Sequence, residues 1–367
     1  MGRSAGRLAY IRTMNIVISG GGMVGMTLAR LLRQRGFSPV VIERMPAGAY
    51  IPRGYMLGYQ GYEPLAEVGV MDEIRAAGRP IAPREDGSSV AVAVRFGAVI
   101  EALARDLPIV NEHSVVELVR DGAGRVVGVV AEGPDGRATI EADLVVACDG
   151  VRSPVRAMAG IEATVEPLAD AALTFMGSQP VQTPFAMAYL SDGGHIGVLS
   201  WKEGSAGWRS IEKIGADAAL APGLDAIKST WTELLPESAE GVAALTSMDQ
   251  VRYSEPQLLS CRRWWVPGVA VIGDAAHFFG PETGVSSGIG LGDAHALAQA
   301  VLQNPSDPDA ACHSYETWRA PAVRPYEALD PGRQRMVPAG AVPLRPEERW
   351  PPIRQNAKDQ TAPTLPR

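Results

Sequence analysis

Cysteine is scarce in this sequence, with three in 367 residues. Cys148, Cys261 and Cys312 lie far apart, without the spacing of a metal site or the even count of a disulfide framework. This scarcity excludes a disulfide-rich secreted fold and gives no reason to expect a bound metal. We therefore expect reduced thiols and a cytoplasmic location.

Positive charge and long apolar runs are also lacking. The formal net charge is −7 and the isoelectric point is about 5.4, which argues against nucleic acid as the main partner. No apolar run reaches the roughly 18 residues that a membrane span needs. The apolar fraction of 46% is that of a globular protein, and the length is enough for one large or two ordinary domains.

The two ends of the sequence lack the periodicity of helices and strands. Residues 1–13 are basic but have no apolar core of a secretion signal, so we expect an N-terminal extension. Met14, directly before the first predicted strand, is a candidate for the true start. Residues 337–367 contain seven prolines and predict an irregular tail.

A glycine-rich segment within residues 14–44 carries the clearest signal. A β-branched run at 16–18 predicts a strand, the glycines at 20–25 predict a turn, and the apolar spacing that follows predicts a helix. A second apolar run at 40–42 ends in Glu43. Strand, glycine turn, helix, strand and acid form the pattern that binds the ribose and pyrophosphate of a dinucleotide.

Each glycine of this turn has a physical role. Gly20 allows a tight turn, Gly22 removes a side chain where backbone approaches a pyrophosphate, and Gly25 lets the helix pack close to the sheet. The helix N-terminus then presents free N–H groups to the anion. Glu43, 18 residues after Gly25, can accept hydrogen bonds from ribose hydroxyls. A purely structural glycine turn is the alternative, and the motif alone does not separate NAD from FAD.

The remaining chain divides into two kinds of pattern. The first kind indicates α/β structure, with helices around 62–68 and 99–103, a loop at 79–90, an antiparallel meander over 115–140 and buried strands at 144–147 and 269–272. Helices are also predicted at about 287–302 and 313–326. The second kind indicates a separate antiparallel sheet with one helix, from strands at 171–176, 185–190 and 195–201 and helical spacing at 227–235.

Two further motifs place an aspartate at the end of a predicted buried strand. Asp149 is followed by Gly150, and Asp274 is preceded by Gly273. Ligands bind at the carboxyl ends of strands in open α/β sheets, so both aspartates are candidates for ligand binding. Each alone could be a turn residue or a helix cap.

With the glycine turn, these motifs resemble the FAD-dependent aromatic hydroxylases, single-component flavoprotein monooxygenases of the p-hydroxybenzoate hydroxylase type. The resemblance covers roughly residues 14–330 and implies an α/β fold, with a Rossmann-like FAD-binding domain (GR2/PHBH type) and an inserted antiparallel-sheet substrate domain. The implied FAD-binding domain comprises 14–165 and, with C-terminal helices, 256–336. The implied substrate domain, an antiparallel sheet plus a helix, is 166–255.

The resemblance also implies roles for individual residues. The glycine turn would hold the FAD pyrophosphate and Glu43 the adenosine ribose. Arg53 and Arg95 match arginines near the ribityl chain and pyrophosphate. Asp149 belongs to a motif linked to both FAD and NAD(P)H, and Asp274 would bind the ribityl chain. The implied FAD-binding residues are Gly20, Gly22, Val24, Gly25, Glu43, Arg44, Arg53, Arg95, Asp149, Gly150, Gly273, Asp274, Pro281, Gly284, Val285, Ser286 and Ser287.

The loop from Pro281 onward would lie against the isoalloxazine, and here the sequence departs from the family. Ser286 and Gly288 stand where members commonly carry a second glycine and an asparagine. Backbone amides of 285–287 could still face the flavin C2 carbonyl at a helix N-terminus and stabilise negative charge there.

The chemistry implied is that of a monooxygenase. NADPH or NADH would reduce FAD, O2 would add to give a C4a-hydroperoxide, and one oxygen atom would pass to an aromatic or polycyclic substrate. The absence of a second G-x-G-x-x-G fits a transient nicotinamide site. No catalytic base can be named: His277 is interpreted as packed beside the ribityl loop, and His195 as either a substrate-sheet or a surface residue.

Other functions stay open at this stage. A Baeyer–Villiger oxygenase or an epoxidase would keep the fold and change the reaction. A protein of another class, a non-redox cyclase, isomerase or binding protein, would keep FAD for structure; an NAD-dependent dehydrogenase leaves Asp149 and Asp274 without a role. The substrate, the choice of nicotinamide and the oligomeric state do not follow from the sequence.

Overall fold

The computed structural model describes residues 14–50, 53–58, 61–83, 89–191, 194–280 and 286–327. The strands are β1 Ile16–Ser19, β2 Val40–Ile42, β3 Gly54–Gly58, β4 Arg79–Pro83, β5 Ser89–Arg95, β6 Ile109–Val110, β7 Ser114–Arg120, β8 Val126–Gly133, β9 Gly136–Glu141, β10 Leu144–Ala147, β11 Ala163–Pro167, β12 Ala171–Gly177, β13 Phe185–Tyr189, β14 His195–Trp201, β15 Gly204–Ile211, β16 Val251–Ser254, β17 Gln257–Cys261, β18 Trp265–Val266, β19 Val269–Val271 and β20 His277–Phe278. The helices are α1 Met23–Gln34, α2 Tyr62–Glu67, α3 Met71–Ala77, α4 Phe96–Ala104, α5 Pro154–Met158, α6 Ala216–Leu220, α7 Gly223–Leu234, α8 Ala239–Ala243, α9 Ser286–Gln303 and α10 Pro308–Glu327.

A six-stranded sheet with the order β18-β19-β10-β1-β2-β6 forms the first layer. Neighbouring strands from β19 to β6 run parallel, and β18 is an antiparallel edge. Strands β1 and β10 are buried along their whole length, as expected of continuous apolar runs in a parallel sheet. Helix α1 packs against α9, which packs against α10. The carboxyl ends of β1, β10 and β19 therefore meet at one edge of the sheet.

A five-stranded antiparallel sheet with the order β13-β14-β15-β12-β16 forms the second layer. Its strands all fall within 166–255, the range predicted for the substrate domain, although the domain boundaries themselves stay a prediction. One face of this sheet packs on α7 in a separate hydrophobic cluster. At its centre Trp231 meets Phe175 edge to face, with ring centroids 5.4 Å apart.

The loop predicted at 79–90 is wrong. Residues Arg79–Pro83 form β4, and β5 begins at Ser89, while 84–88 lie outside the described residues. Strand β4 is the edge of the sheet β3-β5-β4, where prolines are tolerated because an edge residue can lack a ladder N–H. The predicted meander is confirmed as β7-β8-β9, and the predicted helices as α2, α4, α7, α9 and α10.

Arg79 joins the three-stranded sheet β3-β5-β4 to the five-stranded sheet. Its Nη1 donates to the carbonyl of Val181 at 2.6 Å and to Ser200 Oγ at 2.9 Å, and its Nη2 donates to the carbonyl of Gln182. Beside this contact, Leu199 of β14 packs on Ile81, so apolar burial accompanies the hydrogen bonds. Among the described residues, no helix is both long and apolar enough to cross a membrane.

We expect Trp231→Ala to lower the free energy of unfolding by about 3–5 kcal/mol, because the cavity left under the five-stranded sheet cannot be filled by its neighbours. Trp231 is 1% exposed, whereas Leu302 is 45% exposed and serves as the control. Urea unfolding followed by fluorescence and circular dichroism measures both variants. A loss for Trp231→Ala no larger than that for Leu302→Ala would contradict the packing described.

Candidate functional site

One cavity of about 1930 Å³ lies between the two layers. At one end it is lined by the glycine turn after β1, and at the other by the face of the five-stranded sheet opposite α7. Single ligands usually occupy ~300–1,000 Å³, so this volume is enough for an extended cofactor and a second molecule.

The glycine turn leaves open space where an anion would bind. A Cβ on Gly20, whose φ is +110°, would lie 2.4 Å from the carbonyl oxygen of Cys148, and a Cβ on Gly25 would lie 2.1 Å from the carbonyl oxygen of Gly20. A Cβ on Gly22 would meet no atom within 4 Å. Gly20 and Gly25 are therefore required by packing within the chain. Gly22 borders the cavity at the start of α1. This is a cradle for a pyrophosphate at a helix N-terminus.

Glu43 follows β2 and lines the cavity beside Arg44. Its Oε2 accepts a hydrogen bond from the Gly21 N–H at 2.6 Å, and its Oε1 accepts one from the Met45 N–H at 2.8 Å. The carboxylate is thus fixed to the backbone on both sides, and each oxygen retains a lone pair for a ribose hydroxyl.

Asp149 carries a buried acceptor that has no hydrogen-bond partner among the described residues. Its Oδ2 accepts a hydrogen bond from the Val155 N–H at 3.2 Å, but its Oδ1 has no hydrogen-bond partner in the described part of the chain. Burial raises the pKa of this carboxyl group. Because an unpaired buried oxygen is costly and Asp149 and Gly150 line the cavity, a ligand hydroxyl or N–H is the natural partner.

Asp274 and Arg53 face the same cavity from different elements. Asp274 lies in a 3₁₀ turn that follows β19 and lines the cavity. Gly273, the first residue of this turn, packs against Val24. Burial raises the pKa of Asp274, although the Arg53 guanidinium opposes this shift. Arg53 is itself held over the Phe96 ring, 4.1 Å from its centroid. The pair offers one acidic and one basic group to a polar chain between them.

Arg95 is not part of the cavity wall. Its Nη2 pairs with Glu101 Oε2 at 3.0 Å, and its Nη1 bonds to the Tyr50 hydroxyl; Tyr50 and Glu101 line the cavity instead. The contact predicted between Arg95 and FAD therefore stays a prediction. A ligand in this region would first meet the side chains that hold the arginine.

The predicted flavin loop is described only in part. Pro281, Gly284 and Val285 lie outside the described residues. Ser286 and Ser287 begin α9 and line the cavity, and Ser286 Oγ accepts a hydrogen bond from the Phe279 N–H at 3.1 Å. The N-terminus of an 18-residue helix is thus directed at the cavity.

A buried charged network behind Asp274 was missed by sequence reasoning. Asp293 Oδ2 lies 2.6 Å from His277 Nε2 and accepts the Gly273 N–H at 3.0 Å, while its Oδ1 accepts Arg319 Nε at 2.9 Å. Burial alone would raise the pKa of Asp293, but His277 and Arg319 outweigh it and lower the pKa to about 2. The available signal in the sequence was Asp293 itself, a charged residue among the alanines and leucines of a predicted helix. His277 is fully buried and does not line the cavity, which fits the packing interpretation, although its role stays a prediction.

The groups around the cavity fit FAD. The space at Gly22 fits a pyrophosphate, and the unpaired Asp149 Oδ1 and the facing Arg53 and Asp274 fit a polar chain. Glu43 is placed for a ribose. The roles of the individual residues stay predictions.

Comparisons with known proteins find flavoproteins. A family model described as an FAD binding domain matches residues 13–91 and 98–328. The 3-amino-4-hydroxybenzoate 2-monooxygenase of Streptomyces cremeus is 27% identical over 348 residues, 84% of this chain and 84% of that protein. The aurachin C monooxygenase/isomerase of Stigmatella aurantiaca is 27% identical over 369 residues, 92% of this chain and 90% of that protein.

Among solved structures, PqsL of P. aeruginosa in complex with 2-aminobenzoylacetate superposes with a TM-score of 0.71. It is 22% identical and covers 85% of this chain and 93% of its own. At this identity the similarity establishes a common fold.

Gly22→Ala is expected to lower FAD affinity by at least about tenfold, because the added methyl group enters the anion cradle while touching no protein atom. Gly122→Ala is the matched control, since its Cβ also meets nothing and it lies away from the cavity. Flavin titration of the apoprotein measures affinity, and the melting temperature of the apoprotein should be the same for both. Equal FAD affinity in the two variants would show that no cofactor approaches Gly22.

Asp293→Asn is expected to cost about 3–5 kcal/mol at neutral pH, because it leaves the buried Arg319 without its counter-charge. A carboxylate whose pKa is lowered on folding stabilises the protein above its unfolded pKa, and that contribution disappears as the pH falls toward the folded value. The difference between wild type and variant should therefore shrink between about pH 4 and about pH 2, the pKa of Asp293.

Denaturant unfolding across this pH range measures the difference. Asp72→Asn, which removes an exposed pair with Arg75, is the control and should have no measurable effect. A stability difference that does not change with pH would contradict the assigned charge of Asp293.

Proposed function

Since the chain belongs to the FAD-binding domain family, as an oxidoreductase of the FAD-dependent monooxygenase kind, we propose that it uses NADH or NADPH and O2 to insert one oxygen atom into an aromatic or polycyclic small molecule. The observation that carries the proposal is the continuity of the cavity. The pyrophosphate cradle, the charged pair and the apolar sheet face all line the same space.

Bound FAD would supply the redox chemistry, accepting a hydride from the nicotinamide and activating O2 for transfer of one oxygen atom to the substrate. The chain's own contribution begins with binding. In this proposal Gly20, Gly22 and Gly25 shape the pyrophosphate site, and Glu43 and Arg44 bind the adenosine end. Asp149, through Oδ1, and Asp274 bind the polar chain of the cofactor.

The residues around the reacting end exclude water and stabilise charge. Apolar side chains of the sheet face, among them Met187, Leu199 and Trp208, border the cavity and keep it dry, which strengthens electrostatic interactions inside it. The N-terminus of α9 at Ser286 and Ser287 adds a partial positive charge where negative charge would develop on the flavin. The implied contact of Pro281, Gly284 and Val285 with the flavin stays a prediction, because these residues lie outside the described ranges.

The substrate class rests on the sheet face and on the relatives. Two of the named relatives are monooxygenases, and one acts on 3-amino-4-hydroxybenzoate, an aromatic acid. The size of the cavity leaves room for a substrate larger than one ring. Baeyer–Villiger oxidation and epoxidation use the same cofactor site, so product structure separates them from hydroxylation.

The proposal predicts that the purified protein holds FAD and consumes NADH or NADPH faster when a suitable aromatic ligand is present. A panel of phenolic and polycyclic compounds is screened by flavin reduction under anaerobic conditions, because this step needs no oxygen. Hits are then run with isotopically labelled O2, and mass spectrometry should find one labelled oxygen atom in the product.

Two results would overturn the proposal. A protein that binds no FAD would remove its basis. FAD-loaded protein that oxidises neither nicotinamide with any ligand, while still converting or binding a ligand, would favour a non-redox cyclase, isomerase or binding protein.

A further inference from the structure

The sheet face that borders the cavity is not uniform. At the end nearest β3 and β5 it is apolar, where Phe185 and Leu199 are paired across β13 and β14 and pack with Ile81. Met187 and Trp208 follow along the strands and also line the cavity. This end of the face can therefore hold the apolar body of a ligand.

At the opposite end, one row across the sheet is polar. Tyr189 is paired with His195 in the β13–β14 register, and Ser210 and Ser254 both lie opposite Ala172 of β12. Tyr189, His195, Ser210 and Ser254 all line the cavity. Four polar side chains in one row indicate a place for a polar group of the ligand.

His195 is the centre of this row. Its Nδ1 lies 2.7 Å from Ser210 Oγ, and the ring makes no other hydrogen bond within the described residues. Burial lowers its pKa, although Asp170 opposes the shift, so the ring is neutral near pH 7. The serine hydroxyl can donate to or accept from Nδ1, so Nε2 is free to act as a donor or as an acceptor.

The row itself contains no charged side chain, whereas a cation lies one row away. Arg252, one row away on the edge strand β16, is an exposed cation lining the cavity. Arg209 is paired with Ile196, next to His195 in β14, and therefore points to the other face. A neutral histidine with a tyrosine and two serines suits a neutral hydrogen-bonding group, whereas a buried carboxylate would need a cation in the row.

We propose that His195, with Tyr189 and Ser210, binds the neutral polar end of an elongated substrate: a hydroxyl, a carbonyl or a ring N–H. This inference rests on the proposed function. His195 lies four residues from Leu199, about 13 Å along an extended strand. One six-membered ring does not cover that distance, so the substrate has at least two rings or a ring with an apolar extension.

The test is a ligand-binding measurement on the oxidised FAD-loaded protein, read as the change in flavin absorbance, with no turnover required. Three probes share a biphenyl body and differ at one end: para-phenylphenol, para-phenylbenzoate and biphenyl. Wild type should bind para-phenylphenol about tenfold more tightly than biphenyl, since one buried hydrogen bond distinguishes them. Para-phenylbenzoate should bind no better than biphenyl.

His195→Leu should abolish the preference for the phenol while keeping the affinity for biphenyl. His195→Gln, which retains a neutral hydrogen-bonding group, should restore part of the preference. This second variant also provides a test if the leucine variant does not fold. His295→Gln is the control, because His295 pairs with Glu67 away from the cavity.

Three outcomes for the wild type would each overturn the inference: it binds the three probes with equal affinity, binds none of them, or prefers the carboxylate. A fourth is an equal loss for all probes in His195→Leu. The failure of the proposed function is separate, because it would appear as normal probe binding in wild type without oxidation of NADH or NADPH by any ligand.

Discussion

The buried carboxylate of Asp293 is the contact on which the cofactor side of this molecule depends. It connects the turn after β19, the strand β20 and the last helix through Gly273, His277 and Arg319. Asp274 follows Gly273 directly. The carboxyl group of Asp274 in the cavity wall is therefore positioned by Asp293, which does not itself line the cavity. The turn and β20, which are neighbours in sequence, and the more distant helix α10 thus meet at the two oxygen atoms of Asp293, which are fully desolvated and both paired.

The local parts of the site could be predicted from sequence because their signals are local. Gly20, Gly22 and Gly25 fall within six residues, and the strand before them and the helix after them have recognisable periodicity. Asp149 and Asp274 each follow a short apolar run, which identifies the strand end on which they lie. In each case the chain near the residue dictates its position.

The contacts that hold these parts together could not be predicted in this way. Asp293 finds its partners 16 and 26 residues away, and Arg79 reaches groups 102 and 121 residues away. Neither separation has a periodic signature in the sequence. The prolines of β4 are tolerated because β4 is an edge strand, and its edge position depends on the other strands of the sheet. The polar row around His195 likewise appears only when all five strands of its sheet are paired in register.

The two walls of the cavity come from separate stretches of the chain. The glycine turn, Glu43 and Asp149 belong to the first 150 residues, whereas the sheet face is supplied by 171–211 and the short strand β16. Because the sheet carries its own hydrophobic cluster with α7, its cavity face can vary in side chain without disturbing the cradle. Substitutions on the cavity face of the five-stranded sheet can therefore change which ligand fits, while the residues around the glycine turn remain the same.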